Sequence, residues 1–105
     1  MTDMKRYGCN RLYLAENDFR STSVVSIGHD GKVNHISPLT EETSATEWVG
    51  GVIVLSDKEE LTVHQDFRTL LREMTRANQP TYAWHISPFD FPREELTPQS
   101  IIRRL

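Results

Sequence analysis

The sequence predicts a small, mainly β domain: a β-sandwich or partly closed barrel of about six strands with one amphipathic helix packed on it. Three observations carry that expectation. Several short segments alternate apolar and polar residues or are rich in β-branched ones, the signature of half-buried strands. An Asp30-Gly31 pair sits between two of them as a hairpin signal. A single stretch, beginning after Asp57, switches to helical periodicity. At 105 residues the chain has room for one modest core.

Residues 1–8 are polar and lack a periodic apolar pattern, so they read as a loosely ordered tip ahead of a single β-domain spanning 9–105. From Cys9 onward, Leu12 and Leu14 alternate with Arg11 and Tyr13, which predicts the first strand. Turn chemistry at Asn17, Asp18 and Ser21 precedes the β-branched run Thr22 to Ile27, the second. A three-residue loop with Gly31 as a left-handed bulge residue sets Ile27 opposite Val33 and Val24 opposite Ile36, apolar against apolar. Ser37-Pro38 ends the third strand, because proline has no amide to give the ladder.

Thr40 to Thr46 reads as a solvated loop. The continuous apolar run Val52 to Leu55 predicts a fully buried central strand, and Gly50-Gly51 before it a bend or a close backbone approach. Val63, Phe67, Leu70, Leu71 and Met74 then fall on one helical face, with Gln65, Asp66, Arg68, Arg72 and Glu73 on the other, which predicts a helix over 62–77. Thr62 is its candidate cap, and Asn78 followed by Pro80 its stop. Tyr82, Trp84 and Ile86 share one face of a further strand, and Phe89 to Pro92 form a turn-rich connection. Ser100 to Leu105 reads as a last strand, with a helical turn starting at Pro98 as the alternative. The tetrapeptide His-Ile-Ser-Pro at 35–38 and 85–88 is too short to establish a repeat.

The order of these motifs, from Arg11 to Ser56 and again from Pro80 to Leu105, resembles the outer, composite β-domain of the metal-dependent amidohydrolases, which is assembled from the two ends of a chain whose middle is a catalytic barrel. The likeness rests on strand, Asp30-Gly31, strand, then Gly50-Gly51 opening Val52 to Leu55, and on the closing segments Pro80 to Ile86 and Leu96 to Leu105. Family members follow the Gly-Gly strand with Pro-Gly-Phe and a metal-binding His-x-His pair; here Leu55-Ser56-Asp57 follows, and no His-x-His occurs. The resemblance implies a free-standing β-domain with the catalytic barrel absent, a helix bridging the two halves, and the first and last strands as neighbours, so that Ser100 to Leu105 lies beside Arg11 to Ala15.

Charge and composition narrow the function. A net charge of −3 with scattered charges lacks the basic footprint of nucleic-acid binding. One cysteine cannot close a disulfide within the chain, and neither a signal-like leader nor a membrane-spanning run is present, so a cytoplasmic protein is expected. His29, His35, His64 and His85 show no local ligand pair; His35 and His85, both near strand ends, are the one pair left open to meeting in space. Cys9, with Lys5, Arg6 and Arg11 nearby, reads as a structural thiol rather than a nucleophile. The pairs Glu41-Glu42, Glu59-Glu60 and Glu94-Glu95 read as solvated charge. No catalytic, cofactor-binding or metal-binding residue is assigned.

Trp48, Tyr82, Trp84, Phe89 and Phe91 are the one enrichment that suits recognition, balanced evenly against use as core. The expectation is a non-catalytic, stand-alone amidohydrolase-like domain serving as a protein-interaction or accessory module, with a homo-oligomer or an amidohydrolase as partner. A small-ligand-binding domain with a pocket under residues 78–92 is the alternative, and a small metal-dependent hydrolase is the least supported.

Overall fold

The computed structural model describes residues 5–15, 18–39, 46–57, 66–74 and 81–105. Its elements are β1 (Lys5–Ala15), β2 (Asp18–Ile27), β3 (Val33–Pro38), β4 (Thr46–Trp48), β5 (Val52–Ser56), α1 (Phe67–Met74), β6 (Tyr82–Asp90) and β7 (Glu95–Arg104). The strands form one mixed sheet in the order β3-β2-β1-β5-β6-β7, with β4 set beside the first half of β1. The protein is therefore mainly β with one short helix, as its periodicities predict. β5 is central: it runs parallel to β1 on one side and antiparallel to β6 on the other.

β1 begins at Lys5 rather than near Cys9, because Lys5, Arg6, Tyr7 and Gly8 continue the ladder opposite Ile27, Ser26, Val25 and Val24. The expected terminal neighbours do not meet. β1 has two edges; β2 occupies one and β4 with β5 the other, so β7 pairs with β6 instead. Its identity as a strand, rather than a helical turn after Pro98, holds from Glu95 onward. The Gly31 hairpin is also adjusted. Gly31 has φ 82 and Ile27 does face Val33, but a bulge after that pair sets Val25, not Val24, opposite Ile36.

The two faces of the sheet are closed differently. On one, Phe67, Leu70 and Leu71 of α1 pack on Tyr13, Val52, Val54, Trp84, Ile86 and Phe89. This is the stripe the sequence predicts; Val63, Thr62 and the expected helix ends lie outside the described residues. Asp66 caps the start, its carboxylate accepting from the Arg68 amide at 3.3 Å and the Thr69 hydroxyl at 2.9 Å. Among the described residues no helix covers the second face. Cys9, Leu12, Val25, Ile27, Ile53 and Ala83 bury one another, with Val33, Ile36, Leu55 and Leu105 at their margin. The sheet curls far enough for the Val33 amide to donate to the Thr81 carbonyl at 2.8 Å, which brings the start of β3 to the start of β6.

That curl follows from a crease across the strands. Gly50 and Gly51 both have left-handed backbones, at φ 65 and 61. The Gly51 carbonyl accepts from the Asn10 and Arg11 amides at 3.1 and 3.3 Å, while the Asn10 side chain accepts from the Gly51 amide at 2.9 Å. A Cβ at Gly51 would strike the Ile86 carbonyl oxygen, so only glycine fits there. At the crease β1 exchanges faces: Tyr7 and Cys9 join the same cluster as Leu12 and Leu14, although strict alternation would separate them.

Candidate functional site

The densest polar constellation lies where β1, α1 and the β6–β7 turn meet. Tyr13 donates its hydroxyl to Glu94 Oε2 at 2.5 Å and accepts from Arg11 Nη1 at 3.3 Å. Arg11 and Arg68 approach the same carboxylate at 4.0 and 3.7 Å. Around this group runs a chain of rings, Phe19, Tyr13, Phe67, Phe89 and Phe91, with successive centroids 4.7 to 5.3 Å apart. The Arg11 guanidinium closes the circle, 4.6 Å from the Phe19 ring and 5.2 Å from that of Phe91. Glu94 reaches Tyr13 from a left-handed backbone at φ 55.

A tyrosine beside a carboxylate can suggest proton transfer, but the electrostatics hold the proton in place. Burial, assisted by the hydrogen bond to Glu94, pushes the Tyr13 phenol up from 10.0 to about 12. The hydroxyl remains a donor at neutral pH. Its role is to tie the helix-bearing face to the β6–β7 turn.

His85 sits at the crease. Its Nε2 lies 3.1 Å from the Gly50 carbonyl, which can only accept, so that nitrogen carries the proton. Burial lowers its pKa below the ordinary value, opposed by the Gly50 and Val49 backbone bonds and reinforced by Arg103. It is a neutral imidazole satisfying a carbonyl that the glycine bend leaves outside the ladder. His35 is exposed on β3 and His29 in the hairpin loop, while His64 lies outside the described residues. Among the described residues, no three His, Cys, Asp or Glu side chains come together as a metal site.

Cys9 is fully buried, its Sγ 3.7 Å from the Ser23 carbonyl, and burial pushes the thiol from 9.0 to about 11. Such a thiol is a poor nucleophile. Glu95 is exposed beside the engaged Glu94; the other two glutamate pairs lie outside the described residues.

The aromatic set divides. Tyr82, Trp84 and Phe89 are buried, and Phe91 packs on the cluster that holds Trp84 and Phe89, whereas Trp48 is 52% exposed on β4. As a recognition surface the five reduce to Trp48, because Trp84, Phe89 and Phe91 fill the helix-covered face and Tyr82 is buried with the Arg104 guanidinium over its ring. Trp48 lies over Gly8, where a Cβ would come within 2.9 Å of the indole.

A cleft opens where β3 approaches β6. A pocket of about 120 Å³ is lined by Leu14, Leu55, Ser56, Asp57 and Thr81. Beside it lies a wider one of about 330 Å³ formed by Val33, Asn34, His35, Ile36, Leu55 and Thr81. Thr81 is the one lining residue that these two pockets take from the segment 78–92, whose residues 78–80 lie outside the described residues.

Sequence reasoning missed the Tyr13–Glu94 bond, whose partners are 81 residues apart, and the Asn10–Gly51 embrace. Gly50-Gly51 was the one local signal pointing to the latter. No described helix is long and apolar enough to cross a membrane. Compared with protein-family models, curated proteins and solved structures, the chain matches none.

Proposed function

We propose that this chain is a non-catalytic β-domain that acts as a protein-interaction or accessory module. One observation carries the reading: the side chains best suited to chemistry are engaged in holding the fold. Cys9 is sealed in the core, Tyr13 is fixed on Glu94, and His85 serves the Gly50 carbonyl. Large apolar side chains meanwhile face solvent at Phe19, Trp48 and Ile101, the residue type that anchors partners. The motif order resembling an amidohydrolase outer domain makes a true amidohydrolase one partner to test.

The cleft beside Thr81 favours a second reading, a small-ligand site with an apolar floor of Leu14 and Leu55 and a rim of Asn34, His35 and Asp57. The experiment that separates these compares partners retained by the immobilised wild type and by Trp48→Ala. A module loses its partner with the indole, whereas a ligand-binding domain is indifferent to Trp48. Hydrolysis of amide or ester substrates by protein carrying about one zinc per chain would overturn the non-catalytic half of the proposal.

A further inference from the structure

We infer that two copies of this chain pair antiparallel through the outer edge of β7, about a two-fold axis at Ile102, to make one continuous sheet. This rests on the interaction-module reading and names the partner as a second copy.

The register of β6 with β7 decides which backbone groups face outward. The Leu105 amide donates to the Ala83 carbonyl at 2.9 Å, so Ala83 and Leu105 are a hydrogen-bonded pair. Along the same ladder Trp84 faces Arg104, His85 faces Arg103, Ile86 faces Ile102 and Ser87 faces Ile101. Bonded and non-bonded pairs alternate in an antiparallel ladder, so Ile101 and Arg103 turn their backbone groups toward β6, while Ile102 turns its N–H and C=O outward. β7 ends the strand order, so among the described residues no strand meets that edge.

The usable edge is short and has one favoured register. Before Ser100 the strand departs from regular pairing: the Thr97 amide bonds the Ser100 hydroxyl, that hydroxyl bonds the Pro88 carbonyl, and Pro98 has no amide. A two-fold axis at Ile102 keeps clear of this irregular part. It sets Ile102 against its own copy, Ser100 across from Arg104, and Ile101 across from Arg103. No arginine then faces an arginine directly, and the aliphatic stem of Arg103 covers Ile101, which is 68% exposed in the single chain. The irregular segment also limits the edge to one partner, so pairing closes as a dimer instead of propagating.

Sedimentation equilibrium of the full chain tests this, with circular dichroism and melting curves as the folding check. An edge this short buries little area, so the dimer is expected to be a weak one, populated only at high chain concentration. Ile101→Lys places a cation across from Arg103 of the second copy and should weaken dimerisation about tenfold or more. Ile101→Glu places a carboxylate there and should leave the dimer intact or tighten it. A wild-type chain that stays monomeric at roughly 1 mM, or Lys and Glu variants that respond alike, overturns the proposal. Because partner retention through Trp48 is measured separately, failure of the dimer leaves the interaction-module reading to its own test.

Discussion

The two faces of the sheet solve one problem with different means. The first is sealed by α1, whose Phe67, Leu70 and Leu71 bring large side chains down onto β5 and β6. The second is sealed by the sheet itself, through a crease at Asn10 and Gly51 that turns β2 and β3 over Ile53 and Ala83. The first depends on side-chain volume and the second on backbone geometry. Substitutions should therefore injure the two in different ways.

The largest effect is expected at the helix. Leu70 is fully buried, and Leu70→Asp sets an unpaired charge against the sheet, costing about 4 kcal/mol or more. That is a large part of the total stability of a domain this size, so the variant should be unfolded or aggregated by circular dichroism. A soluble variant with an unchanged cooperative melt would mean that α1 is not a structural cover, and the contrast between the faces would collapse.

Next comes the crease. Gly51→Ala combines a left-handed backbone with a collision against the Ile86 carbonyl, whereas a Cβ at Gly31 meets nothing within 4 Å. Denaturant titration should show a loss of roughly 2–4 kcal/mol at Gly51 and about 1 kcal/mol at Gly31, where only the backbone conformation is penalised. Equal losses at the two glycines would remove the crease from the account.

These two sites also mark what the sequence makes legible. The helical stripe, the buried strand Val52 to Leu55 and the Gly31 turn are local patterns, and period alone reveals them. The crease is partly legible, since Gly50-Gly51 signals a bend but not its partner Asn10, which lies 41 residues away. The side-by-side chain ends were expected from resemblance and are not formed, because β4 and β5 run parallel along the edge of β1 that the last strand would need. Parallel pairing between distant segments leaves no local trace. For the same reason the Tyr13–Glu94 bond was invisible, and the aromatic set could not be divided into core and surface without knowing which face α1 covers.

A smaller effect sharpens the helix-covered face. The Tyr13 phenol titrates at 10.0 in the unfolded chain and at about 12 when folded. A folded pKa above the unfolded one means the unfolded chain releases its proton first, so this stabilisation is complete below pH 10 and is lost as pH rises toward 12. Tyr13→Phe should lower stability by about 1–2 kcal/mol near neutral pH, through loss of the bond to Glu94. Its stability should also fall less steeply than wild type between pH 10 and 12, read from denaturant midpoints with Cys9 retained in both proteins. Parallel pH profiles would show that Tyr13 does not hold its proton as described.

The most direct test of the claim that the curled face is a dry core without reactive chemistry is alkylation of Cys9 in the native protein. The thiol is fully buried and held near pKa 11, so labelling should proceed only through global unfolding, its rate rising with denaturant in step with the unfolding equilibrium. Rapid, denaturant-independent labelling of a folded chain would contradict it, because solvent and reagent would then reach the face that the crease is supposed to close.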